Sequence, residues 1–160
     1  MKRLPLILSM SLLLAAAANA APVVFIVRYA EKASAGGKDP ELSVQGQERA
    51  DALANILKDS QITSVFVTEF KRTQETAAPA AKAAHVSPIV VSAKDTGSLV
   101  GKLRALNGNA LVVGHGNTIP DLLTALRSAT PVSISDDDYS EMFAVLLGDT
   151  PQLVRLHYPF

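Results

Sequence analysis

Cysteine is absent from the 160 residues, which excludes a disulfide-stapled scaffold and any thiolate-ligated metal centre. An excess of charge of either sign is missing too: 15 basic residues balance 15 acidic ones. No Lys/Arg cluster is long enough to track a phosphodiester backbone, so electrostatically driven nucleic-acid binding is not expected. Internal repeats and coiled-coil heptads are absent, and nothing in the pattern demands an interface, so a monomer is expected. What the chain does contain is apolar material, 48% of it hydrophobic, with nine Gly and nine Pro. That is enough for one compact domain with a real core, and it excludes disorder.

The N-terminus reads as an export signal. Lys2 and Arg3 precede an uncharged apolar run from Leu4 through Ala18, and Ala18-Asn19-Ala20 supplies the small-x-small pattern that a signal peptidase accepts. Residues 1–20 are therefore expected to be removed, leaving a single domain over 21–160 in the periplasm or the medium. The competing reading is an uncleaved anchor, since Leu4 to Val27 is broken only by small polar residues, Pro5 and Pro22. The membrane is a partner only in that case. Loss of 1–20 removes two bases and no acid, leaving 13 bases against 15 acids. No Cys flanks the cleavage site, which excludes lipid attachment there, and a Cys-free chain is indifferent to an oxidising compartment.

Beyond this segment apolar runs alternate with amphipathic stretches. Val23–Val27, Ser64–Val67, Ile89–Val91 and Ala110–Gly114 are predicted strands, most of them almost wholly apolar. Helices are predicted from the Ser43 cap through Asp59, over Phe70–Ala84 with Pro79 late in it, and over Ser98–Leu106. A fourth is predicted from an Asn117 cap, with Pro120 in its first turn, to Arg127. Met142–Leu147 and Gln152–His157 read as a hairpin around Gly148-Asp149. Strand–helix alternation with fully apolar strands predicts an α/β fold, a three-layer α/β/α sandwich around a mostly parallel sheet.

Ligands of such sheets sit beyond the carboxyl ends of the strands. Three of those ends carry Arg28-Tyr29-Ala30-Glu31, Thr68-Glu69-Phe70-Lys71-Arg72 and Gly114-His115-Gly116-Asn117-Thr118. Two guanidinium forks can grip a dianion, an imidazole can donate to it, and free N–H groups at a helix start favour negative charge. This combination points to a phosphate pocket built from Arg28, Arg72, His115, Gly116 and Asn117. Flanked by glycines after an apolar strand, His115 is expected at an exposed turn.

At these residues the chain resembles the histidine phosphatase superfamily, phosphoglycerate-mutase-like branch. Arg28-Tyr29-Ala30-Glu31 stands where the family has Arg-His-Gly or Arg-His-Ala. Leu42-Ser43-x-x-Gly46-Gln47-x-Arg49-Ala50, Thr68-x-x-x-Arg72-Thr73-x-x-Thr76-Ala77, Gly114-His115-Gly116-Asn117 and Asp138-Tyr139 are similar to further family motifs in the same order. The resemblance implies that Arg28 and Arg72 bind the phosphoryl oxygens, that His115 completes the cage with the Gly116 and Asn117 amides, and that no metal or cofactor is required. By position Asp95 is the candidate acid for the leaving oxygen, with Glu31 and Glu69 as alternatives and a helix-start role as its plain structural reading.

One departure counts most: the family's nucleophilic His position holds Tyr29. A phenol, with a reference pKa of about 10, must lose its proton before attack, and its oxygen reaches further from the backbone than an imidazole nitrogen. The expected function is an exported phosphatase-type protein that acts on or binds small phosphomonoesters, its turnover impaired. The alternative is a pseudophosphatase that holds phosphate, a phosphorylated ligand or a protein partner, with the Tyr29 hydroxyl plugging the pocket by bonding the arginines. Short connections over the pocket argue against a mutase.

Other features are set aside. Gly97 to Leu103 has the glycine spacing of a P-loop one short and no hydroxyl at its end. Asp136-Asp137-Asp138 lacks the spaced ligands of a calcium loop and reads as a solvated acidic turn. No Ser stands at a nucleophile elbow. His85 and His157 have no metal-ligand spacing to each other or to His115. Ala33–Lys38 is a flexible loop placed to border the pocket.

Overall fold

Alternation along each strand decides the layering, because successive side chains leave a strand on opposite faces. The structure is a computed structural model that describes residues 20–127 and 131–158. In β1 (Val23–Arg28), Val24 and Ile26 enter one core and Val27 the other. In β4 (Asn109–Gly114), Ala110 and Val112 join the first core while Leu111 and Val113 join the second. β2 (Ile62–Val67) divides in the same way, Phe66 against Val65 and Val67. A strand buried on both faces reads as a continuous apolar run, which is why these segments were legible.

Each face is covered by a helix pair. Leu53 and Leu57 of α1 (Val44–Leu57) and Ala77, Ala80 and Ala81 of α2 (Lys71–Ala83) close the second core. Val100 and Leu103 of α3 (Thr96–Arg104), with Ile119, Leu122 and Leu123 of α4 (Ile119–Ala125), close the first. With β3 (Ile89–Val90), β5 (Glu141–Leu146) and β6 (Gln152–His157), the sheet order is β3-β2-β4-β1-β5-β6. The first four strands pair parallel and β5 and β6 antiparallel, so the three-layer, mostly parallel sandwich is observed.

The Ser43 cap is observed, its Oγ accepting from the Gly46 N–H at 3.1 Å. The cap of α4 is corrected. Thr118, not Asn117, precedes the helix, because the Thr118 and Ile119 N–H groups both turn back to the His115 carbonyl and delay its first turn. The hairpin joins β5 to β6 in the register Glu141↔His157 through Leu146↔Gln152. The export signal lies, apart from Ala20, outside the described residues; the anchor alternative is corrected at its end, because Val23–Val27 belong to β1, paired in the sheet with β4 and β5, and not to a helix. No helix of the described residues is long and apolar enough to cross a membrane.

Beyond β1 the chain is braced from two sides. The Ala30 N–H donates to Thr76 Oγ1 at 2.9 Å, and the Glu31 carbonyl accepts from the Ser43 N–H at 2.9 Å. Gly46 packs so closely on this segment that a Cβ there would stand 2.1 Å from the Glu31 carbonyl oxygen. Alanine is favoured over glycine inside a helix by about 1 kcal/mol, whereas a forced overlap with backbone costs about 1–3 kcal/mol. Gly46→Ala is therefore expected to lower stability in urea unfolding despite its better propensity. A variant as stable as the parent would contradict this packing.

Candidate active site

The carboxyl ends of β1, β2 and β4 lie side by side in the sheet, and their side chains converge. Arg28 and His115 are each only 6% exposed. Both guanidinium carbons lie over the Tyr29 ring, Arg28 at 5.2 Å from its centroid and Arg72 at 4.7 Å. His115 meets the same ring edge-on at 5.4 Å, and its Nδ1 is 3.5 Å from Arg72 Nη2. Arg28, Tyr29, Arg72 and His115 thus form one cluster.

Arg28 is anchored by one arm. Its Nη1 donates to the carbonyls of Ser135, Asp136 and Asp138 at 3.0, 2.7 and 3.2 Å. The acidic turn therefore has a second role that its charge does not show: its backbone seats an arginine. Tyr139 lies under the same guanidinium at 4.2 Å. Arg72 rests over Phe70 at 4.3 Å and approaches Asp39 Oδ1 at 3.7 Å, while Asp39 also accepts from the Lys71 N–H. Asp39 directly follows the predicted bordering loop, Ala33–Lys38, and is the residue of this stretch that reaches Arg72. The Nε donors of both Arg28 and Arg72 are buried with no hydrogen-bond partner among the described residues. Such orphans are costly in a native structure and mark a place for an acceptor.

His115 corrects an expectation, for it is buried rather than exposed at its turn. Its ring is held by a relay from β2. The Thr73 hydroxyl donates to the Phe70 carbonyl at 2.8 Å, so it receives from the Thr68 hydroxyl at 2.9 Å, and Thr68 accepts from His115 Nε2–H at 3.0 Å. The other nitrogen gives the same answer. Arginine only donates, so Nδ1 is the acceptor facing Arg72. Burial, then Arg72, lower the imidazole from its usual 6.5 to about 4; Glu69 opposes and Arg28 adds a smaller push. The ring is neutral at physiological pH.

The Gly116 and Asn117 N–H groups donate to no acceptor among the described residues, while those of Thr118 and Ile119 are spent on the His115 carbonyl. Gly116 lies against Arg28, where a Cβ would stand 3.6 Å from Arg28 Nε.

The proposed acids fare differently. Asp95 caps α3, its Oδ1 accepting from the Ser98 N–H at 2.9 Å, and it contacts none of the four clustered side chains, so the plain helix-start reading is the observed one. Glu31 is spent on Arg49, whose Nε and Nη2 reach its carboxylate at 2.7–3.0 Å. Glu69 accepts from the Ala93 N–H, which holds its carboxyl below the ordinary range and leaves it a poor proton donor. The Tyr29 hydroxyl does not bond the arginines; the contact is their charge over its ring face. The sequence motifs include Thr68, Thr73, Thr76 and Tyr139 without giving them a role at the site, and Phe70 and Asp39 carry no sequence signal of their own.

Residues 24–94 match the model described as "Histidine phosphatase superfamily (branch 1)". Among solved structures, the protein histidine phosphatase SixA complexed with tungstate is 23% identical with a TM-score of 0.72, covering 84% of this chain and 96% of its own. A mycobacterial glucosyl-3-phosphoglycerate phosphatase complexed with VO3 is 15% identical with a TM-score of 0.68, covering 87% and 100%. Mycobacterial hydrolase 2 is 14% identical with a TM-score of 0.69, covering 88% and 93%. No curated protein matches the chain in sequence.

The depressed imidazole makes a pH prediction. Between about 6.5 and about 4 the unfolded His115 binds a proton that the folded one refuses, so protonation favours the unfolded state. Stability is expected to fall as pH drops from 6.5 toward 4, and His115→Gln to flatten that part of the curve in denaturant titrations. A parallel loss in the variant would mean that His115 is not the group responsible.

Proposed function

We propose, from the premise that the chain belongs to the histidine phosphatase superfamily, that it binds a phosphoryl group between Arg28, Arg72 and His115 and turns it over slowly or not at all. The observation that carries this reading is the pair of buried, unpartnered Nε donors flanking one ring beside a neutral imidazole. A tetrahedral dianion offers acceptors to both, to the Gly116 and Asn117 N–H groups, and to the edge of His115. Its charge would offset the two guanidinium groups and draw a proton onto His115, since the arginines help keep that ring neutral.

Turnover is limited by two features. Tyr29 stands at the motif position where the family has its nucleophilic His, and its phenol has to ionise before it can attack phosphorus. Among the described residues no carboxyl hydrogen-bonds Tyr29 or His115, and Glu69, whose charge reaches the His115 ring, is held below the ordinary carboxyl range by the Ala93 N–H and so is a poor donor to a leaving oxygen. Substrates with a good leaving group, aryl phosphates or a phosphorylated imidazole whose ring is already protonated by solvent, are the ones this arrangement favours. One similar structure, that of a protein histidine phosphatase, fits that class. The export reading of residues 1–20 places this chemistry in the periplasm or outside the cell; Lys2, Arg3, the run from Leu4 to Ala18 and Ala18-Asn19-Ala20 support it.

The test is hydrolysis of p-nitrophenyl phosphate across pH by the purified protein, Tyr29→His and Tyr29→Phe. The parent is expected to be nearly inactive and Tyr29→His to gain about a hundredfold or more, the scale of one well-placed catalytic group. Strong activity in the parent that survives in Tyr29→Phe, or a Tyr29→His variant as inert as the parent, would contradict the proposal.

A further inference from the structure

Outside the crevice, the start of β5 and the end of β6 bring together three side chains that are far apart in the sequence. The register Glu141↔His157 sets an imidazole across from a carboxylate, and Asp138 approaches from the preceding turn. One ligand atom of each lies within 4.8 Å of those of the other two. Their individual states show what each has left to offer. The Glu141 side chain is only 4% exposed, and its Oε2 is buried with no hydrogen-bond partner among the described residues. Its Oε1 is held by Arg155 Nη2, and His157 Nε2 stands 3.8 Å from that same oxygen. Asp138 is positioned by Ser140, whose N–H and hydroxyl donate to its Oδ1 at 2.8 and 2.7 Å, leaving Oδ2 unspent.

A buried carboxylate oxygen with no donor is costly unless a positive group meets it. Arg155 supplies one guanidinium against two carboxylates, from a side chain that is 48% exposed and able to swing away. We infer that Asp138, Glu141 and His157 bind a divalent transition-metal cation of the Zn2+ type, with solvent completing the coordination. One imidazole and two carboxylates suit such an ion better than the hard, all-oxygen cations. His157 is 58% exposed, so the site opens to solvent and the ion has an entry path. Arg155 is its competitor. The site also abuts the crevice by backbone, because the Asp138 carbonyl is one of the three that seat Arg28.

The probe is Zn2+ itself, titrated calorimetrically into the full chain, His157→Ala and Arg155→Met. Both substitutions fall on half-exposed side chains, so the fold is expected to survive them. The expected result is one saturable site per chain, weakened about tenfold or more by His157→Ala and held or strengthened in Arg155→Met. No saturable binding, binding indifferent to His157→Ala, or binding weakened by Arg155→Met would overturn the assignment. None of these readouts uses phosphate, so failure here leaves the phosphoryl-binding proposal standing.

Discussion

Two guanidinium groups are brought over one tyrosine ring at the carboxyl end of the sheet, and the surrounding structure offsets that concentration of like charge. Taking a charge out of water costs several kcal/mol unless acceptors or counter-charges replace the solvent. Arg28 receives three backbone carbonyls from the turn at 135–138 and the face of Tyr139. Arg72 receives the face of Phe70 and the nearby carboxylate of Asp39. His115 adds no third charge, because burial and the same arginines keep it neutral. After these compensations each guanidinium still has one buried donor with no acceptor among the described residues. An oxyanion, the ligand proposed above, would meet both donors at once.

The scaffold that holds this arrangement is stiff where it has to be. Tyr29 follows β1 directly and its N–H still pairs with the Gly114 carbonyl at 2.9 Å, so the ring is placed by the sheet. The next residues are pinned by Thr76, by Ser43 and by the Glu31–Arg49 ion pair, whose side chains are 15% and 8% exposed. Arg49 also reaches the Tyr158 carbonyl and so ties the C-terminal end of the sheet to the same segment. The hydroxyl relay from Thr73 through Thr68 orients His115 from the neighbouring strand. Residues that meet at the site are thus set by packing on elements remote from one another in the chain.

Much of the layering was legible, because strands buried on both faces must be apolar throughout and the helices between them must show a 3.6-residue stripe. Arg28, Arg72 and His115 were legible as well, since Arg28 and His115 stand where a buried strand gives way to a polar turn and Arg72 opens the helix that follows β2. What escaped depends on tertiary geometry. Glycines beside His115 suggest a turn open to solvent, and nothing local reveals that Phe70 and Tyr29 cover the ring. Glu31 reads as a free carboxylate until the helix carrying Arg49 folds back on it. The Asp136-Asp137-Asp138 run advertises its side chains, whereas the contacts to Arg28 use its carbonyls. His157 had no ligand spacing because its companions come from a neighbouring strand and turn, and only antiparallel register makes them adjacent.

The most direct test follows the unspent donors. With arginine side chains labelled, NMR titration of the protein with orthophosphate, then vanadate, reads the Nε–H resonances of Arg28 and Arg72 and the ring resonances of His115 together. The account predicts that all three move along one saturation curve and that the His115 ring gains a proton as the anion binds. Resonances that stay still, or that follow separate curves, would show that these side chains do not share a single anion.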